Sequence, residues 1–261
     1  MVACSAERAA SSAVPRVVSL HDVTTEIIVA LGAVDHLVGV QEPVDLDGAA
    51  RAAVAGVPRV ADLETILVAR PDVVVGLGVV AEQSPELVSA LRARGVTVEL
   101  ADPATLDDVA ALVGRTGARL HVADRVAAVA ARLQPPPLAR SRPPAPVFVY
   151  DCCDPPFTAG GRTVLTDVIA RAGGRNVFAD LDADWASVSW EAAAARRPAL
   201  VVVHDYRYRG QEDVAGKRAA LRRIPGLGDV PVVELPLRWS LGGLGSVHAL
   251  ARLRTVLEGI E

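Results

Sequence analysis

Cys152 and Cys153 are the residues best equipped for chemistry. They follow the apolar run Pro146-Val-Phe-Val-Tyr150 and open the loop Asp151-Cys-Cys-Asp-Pro-Pro-Phe157-Thr-Ala-Gly-Gly161. Sulfur ligands there could touch a ligand or a soft metal ion at a cleft mouth. His21, Asp22 and His204, at neighbouring strand ends, could join them. Two small buried side chains, or a bond between adjacent sulfurs, would account for the pair as well. No Cys-x-x-Cys or His-x-x-x-His spacing accompanies it, so no direct metal site is expected. His21 closes a strand and opens a helix, a good place to touch a ligand. His36, His121 and His248 fall within helical or strand patterns and read as structural.

Only 3% of the chain is aromatic, so a Phe or Trp placed in a loop is informative. Phe157 and Trp185 read as platforms for a flat ligand, and Trp239 is assigned to the same site. Glu64 follows Asp62 by two residues and Glu191 follows Ser189 by two, which places both in the first turn of a capped helix. The helix dipole alone favours a carboxylate there by about 0.3–1 kcal/mol. It does not explain why both halves carry one in register. The pair fits two outward acidic knobs that dock on arginines of a symmetric partner.

Catalytic signatures are missing. Gly76-Leu-Gly78 lacks a dinucleotide fingerprint, Lys217 stands outside any phosphate loop, and no Gly-x-Ser-x-Gly occurs. An enzyme is not expected, nor a resident cofactor. Lys217 is the sole lysine, which reads as codon bias.

The elements that must position these residues alternate strand and helix, predicting an α/β fold with mainly parallel sheets. The first half reads as strand 16–20, helix 24–31, strand 36–40, helix 63–69, strand 72–76, helix 85–94 and strand 96–100. The second reads as strand 146–150, helix 164–171, helix 190–196, strands 200–204 and 231–235, and helix 247–257. Residues 63–75 match 190–202, with Glu, Arg, Pro and an apolar strand at identical spacing. The repeat predicts two Rossmann-like lobes of one design, 15–119 and 146–261. Residues 120–145 form the join, with a helix over 120–133 leading into a stiff Pro-rich strap. Ligand belongs at the carboxyl ends of the strands, where the sheets face each other.

A composition 51% hydrophobic and 22% charged predicts a folded chain, and a net charge of −4 argues against nucleic acid or an anionic membrane surface as partner. No apolar run is long enough for a spanning helix. Residues 1–14 read as a flexible leader remnant in which Cys4, behind small residues, is a candidate lipidation site. Membrane contact is expected only through that anchor.

Together these motifs resemble the substrate-binding proteins of ABC importers for vitamin B12, iron–siderophores and haem. The likeness is carried by Arg16-Val-Val-Ser-Leu20 with Thr24-Thr25-Glu26, and by Asp62-Leu-Glu64 through Arg70-Pro71-Asp72. Pro156-Phe157-Thr158-Ala159-Gly160, and Trp185 through Val188-Ser189 and Glu191, complete it. It implies two lobes joined by a single long helix with limited hinge motion. It also implies capture of a metal chelate outside the cytoplasm by a monomer, and docking of Glu64 and Glu191 on a permease dimer. Ligand contacts then fall on His21, Asp22, Cys152, Cys153, Phe157, Trp185, His204 and Trp239. His21-Asp22 stands where that group commonly has Ser-Pro, and Cys-Cys is foreign to its loop. No arginine occupies Ser246-Val247-His248, where the group often has one. The rival expectations are a protein that binds a metal ion directly, and a metal- or corrinoid-dependent enzyme using Cys152, Cys153 and His21.

Overall fold

Runs of Val, Ile and Leu with almost no polar interruption make strands buried on both faces, and such strands assemble as parallel sheets covered by helices. A computed structural model describes residues 14–43, 45–136, 143–206 and 214–260. Its first sheet holds β1 (Val17–Ser19), β2 (Leu37–Val40), β3 (Val73–Leu77) and β4 (Thr97–Ala101) in the order β2-β1-β3-β4, all parallel. The second holds β5 (Ala145–Tyr150), β7 (Gly174–Asn176), β9 (Leu200–Asp205) and β10 (Val232–Pro236) in the order β10-β9-β5-β7, also parallel. Between them in sequence, β6 (Phe157–Ala159) and β8 (Trp185–Ser187) pair antiparallel as a separate ribbon. The two-lobe α/β architecture expected from the repeat is present.

Helices supply the crossovers. The first half carries α1 (Asp22–Ala30), α2 (Gly48–Ala53), α3 (Leu63–Val68), α4 (Val79–Gln83) and α5 (Pro85–Ala93). The join carries α6 (Leu106–Arg119) and α7 (Ala123–Ala130), and the second half α8 (Val164–Arg171), α9 (Trp190–Ala195), α10 (Val214–Arg222) and α11 (Ser246–Glu258). Sequence periodicity missed α2, α4, α6, α10 and the short strands β6, β7 and β8.

The connection differs from the single helix expected over 120–133. Thr105 and Asp108 form a reciprocal capping box that starts α6 at Leu106, and the chain breaks at Leu120–Val122, where His121 adopts φ +58. It resumes as α7 and a 3₁₀ turn over Ala131–Leu133. A Cβ on Gly117 would collide with Val126, so glycine lets α6 and α7 pack closely across the break. Helix α6 also bridges the halves: the Leu106 N–H donates to Asp167 at 2.9 Å, and Arg171 pairs with Asp107 at 2.8 Å. Part of the Pro-rich strap (137–142), and Cys4 with residues 1–13, lie outside the described residues.

One apolar cluster runs from Val17 and Ile27 through Leu106 and Leu133 to Val147, Leu165 and Leu250. Both sheets therefore share a core on one side. Separate clusters cover their other faces, around Val18, Ile66 and Leu91 in the first half and Phe148, Phe178 and Val203 in the second.

Candidate ligand-binding site

The carboxyl end of β1 passes into α1 through His21, which caps the helix: its Nδ1 accepts the Val23 N–H at 3.1 Å. Burial pulls the His21 imidazole down to about 4, against the opposing charge of Asp22. The ring is therefore neutral at physiological pH, with its proton on Nε2 as a donor. Ser19, Thr24 and Thr25 brace the turn, the two threonine hydroxyls donating to the His21 carbonyl at 2.9 and 3.1 Å.

Asp22 accepts the Asp45 N–H at 2.6 Å. The Asp45 carboxylate, held between β2 and α2, takes Arg238 Nη1 at 2.9 Å and the Arg238 N–H at 3.2 Å. Arg238 lies just after β10, so this ion pair joins the carboxyl ends of the two sheets. Glu26 of α1 reaches the second half as well, accepting the Leu244 N–H. Burial, then repulsion by Asp47, pushes the Glu26 carboxyl up to about 7, against Arg132, Arg238 and the Leu244 N–H.

The wall in the second half is aromatic. Phe157 and Trp185, on the paired strands β6 and β8, stack with ring centres 6.1 Å apart and planes 19° apart. Trp185 meets His204 edge-on at 5.8 Å. His204 is fully buried, its Nδ1 2.5 Å from Asp151 and its Nε2 2.8 Å from the Ser240 hydroxyl. Both ring nitrogens are thus taken, so the residue expected to meet ligand holds the wall from behind. Burial works to raise the Asp151 carboxyl, but hydrogen bonds from His204 and Tyr206, with the Lys217 charge, outweigh it and keep it below its usual range. Lys217 is buried, donates to the Asp151 and His204 carbonyls, and sits 4.5 Å over the Tyr206 ring. The only lysine in the sequence is therefore structural. Ser240 completes an Asp–His–Ser chain, but its hydroxyl is shut inside the protein.

Cys152 and Cys153 are bonded to each other. In that state neither offers a thiolate, so the soft-metal role considered for them lacks its ligands. Cys153 adopts φ +76, a region that costs a non-glycine residue roughly 1–2 kcal/mol. Trp239 is half-buried beside Arg238 and packs on His248 with ring centres 5.4 Å apart. Among the described residues no cluster of three His, Cys, Asp or Glu side chains is arranged to hold a metal ion.

The repeated glutamates lie on outer surfaces, both exposed. Asp62 caps α3 and Ser189 caps α9, both six-residue helices. Each is followed by an arginine in the left-handed region, Arg70 at φ +48 and Arg197 at φ +47, and then a proline. The sequence repeat is thus copied in backbone conformation. Beside Glu64, an open depression of about 610 Å³ is lined by Leu63, Leu67, Val68, Arg70 and Arg94, with Val68 76% exposed.

A family model described as periplasmic binding protein matches residues 17–233, from the first residue of β1 into β10. The chain belongs to that family. Among curated relatives of this periplasmic binding protein, a vitamin B12-binding protein of Yersinia pestis (strain Pestoides F) is 28% identical over 204 residues, covering 74% of this chain and 70% of its own. A periplasmic binding protein from Veillonella parvula superposes with a TM-score of 0.80 at 23% identity, over 96% of this chain and 94% of the other. A periplasmic haem-binding protein from Roseiflexus sp. RS-1 gives a TM-score of 0.72 at 25% identity, over 93% and 97%. Among the described residues no helix is long and apolar enough to cross a membrane.

Proposed function

We propose that this chain is an extracytoplasmic substrate-binding protein that captures a metal chelate (cobalamin, a ferric siderophore or haem) between its lobes and delivers it to an ABC importer. The observation that carries the reading is the stacked, partly exposed Phe157–Trp185 pair on its own ribbon. A partly exposed aromatic surface with a few fixed polar groups around it suits a large flat ligand. The names of the relatives, vitamin B12-binding and haem-binding, point to the same chemical class.

Capture involves no bond making. The ring system of the cargo lies against Phe157 and Trp185, His21 Nε2–H and Trp239 orient it, and modest closure follows. The monomer then presents Glu64 and Glu191 to arginines of a permease dimer. Attachment through a lipidated Cys4 would hold it at the outer face of the cytoplasmic membrane. Titration of purified protein with cobalamin, haemin and a ferric siderophore, followed by tryptophan quenching, tests the reading. Saturable quenching by one of them is expected, and its absence with all three would overturn the assignment.

A further inference from the structure

The Cys152–Cys153 bond has a sequence separation of 1. A disulfide that encloses no loop removes almost no loop entropy from the unfolded chain, so ordinary stapling does not explain it. What it controls is local shape. It closes a small ring that includes the peptide between the two residues and restrains Cys153 at φ +76. That ring is tied directly to the aromatic wall. The Phe157 N–H donates to the Cys152 carbonyl and the Asp151 N–H to the Phe157 carbonyl, both at 2.9 Å. The Tyr150 hydroxyl donates to the Cys153 carbonyl at 3.3 Å. One residue upstream, the Asp151 carboxylate holds His204 and Tyr206, and His204 meets Trp185. Cys153 is exposed and Cys152 partly so, which leaves the bond open to attack.

We propose that the Cys152–Cys153 disulfide is a redox-controlled fastener for the binding wall, which holds cargo tightly when oxidised and loosely when reduced by an external dithiol. The inference rests on the reading that cargo lies against Phe157 and Trp185. A thiolate of the reducing dithiol attacks the Cys153 sulfur, breaking the Cys152–Cys153 bond and expelling Cys152 as a thiolate that takes up a proton. The second thiol of the reductant, as its thiolate, then displaces Cys153, which also becomes a thiol. Two electrons and two protons pass to the protein, and the reductant leaves as its own disulfide. Freed of the ring, Cys153 leaves the left-handed region and the backbone that seats Phe157 relaxes.

The test uses the full chain, oxidised or reduced with dithiothreitol that is then removed under anaerobic conditions. Peptide-mapped alkylation with iodoacetamide should label Cys152 and Cys153 only after reduction. Amide exchange at Asp151 and Phe157 should quicken. The Kd of haemin or hydroxocobalamin, by Trp185 quenching, should rise about tenfold as preorganisation is lost, and recover on re-oxidation. A Cys152→Ser, Cys153→Ser double variant should show the weaker Kd whatever the treatment. Alkylation of both cysteines without reductant, or an unchanged Kd after complete reduction, overturns the proposal. If neither probe binds in either state, haem and cobalamin are excluded as cargo and the affinity comparison gives way to the backbone readout. The exchange rates at Asp151 and Phe157 then decide the fastener alone, unchanged rates refuting it.

Discussion

Glu26 makes the stability of this protein depend on pH in a direction opposite to most carboxylates. Its carboxyl is raised from the usual 4.5 to about 7, by burial first and Asp47 second. A raised folded-state value means the folded protein prefers the protonated acid. Stability from this group is complete below the unfolded value of 4.5 and is lost as pH climbs through about 7. At about 1.36 kcal/mol per unit, full deprotonation costs roughly 3 kcal/mol, of which some 2–3 kcal/mol is lost between about pH 5 and pH 8. Glu26→Gln keeps an oxygen for the Leu244 N–H and removes the charge. Urea unfolding of both proteins across that range is the assay. The variant should be close to wild type near pH 5 and more stable by roughly 2–3 kcal/mol near pH 8. In thermal melts that is about 4–12 °C. Parallel pH profiles for the two proteins would refute the reasoning, because they would place the Glu26 carboxylate in water.

Three further outcomes are expected. Glu64→Ala combined with Glu191→Ala should leave cargo affinity intact and abolish uptake by cells, and weakened affinity with normal uptake would count against docking. Trp185→Ala should weaken cargo binding about tenfold, through lost stacking and lost apolar contact, as read by absorbance titration with the chelate that binds. His204→Leu leaves the buried Asp151 carboxylate with Tyr206 but without its imidazole partner, and should cost about 3 kcal/mol. That corresponds to a drop in Tm of roughly 6–12 °C, and an unchanged Tm would show that Asp151 does not need His204.

Much of the fold was legible because its signals are local. The Glu…Arg-Pro repeat stood out by residue type, and the structure adds only that Arg70 and Arg197 share a left-handed backbone. Phe157 and Trp185 were recognisable as scarce aromatics in loops, although their stacking depends on β6 pairing with β8 across an intervening helix and strand. The join was misread because Val122, Val126, Val129 and Leu133 mark only α7 and the turn after it, while α6 ends before a break at His121, a residue type that gives no warning of positive φ. Asp45 and Arg238 lie 193 residues apart, and no spacing rule connects them. Lys217 illustrates the same limit: its rarity was visible, but its burial against the Asp151 and His204 carbonyls comes from tertiary packing. Likewise, the two partners that take both nitrogens of His204 come from distant segments.

The apolar cluster common to both sheets has a mechanical consequence. Because Ile27, Leu106, Val147 and Leu250 belong to one close-packed mass, the molecule behaves as a stiff calliper and not as a pair of swinging doors. On the proposed reading, the span between Glu64 and Glu191 is then expected to change little when the lobes close on cargo. A membrane partner docking there as proposed would have to distinguish full from empty by some signal other than their separation.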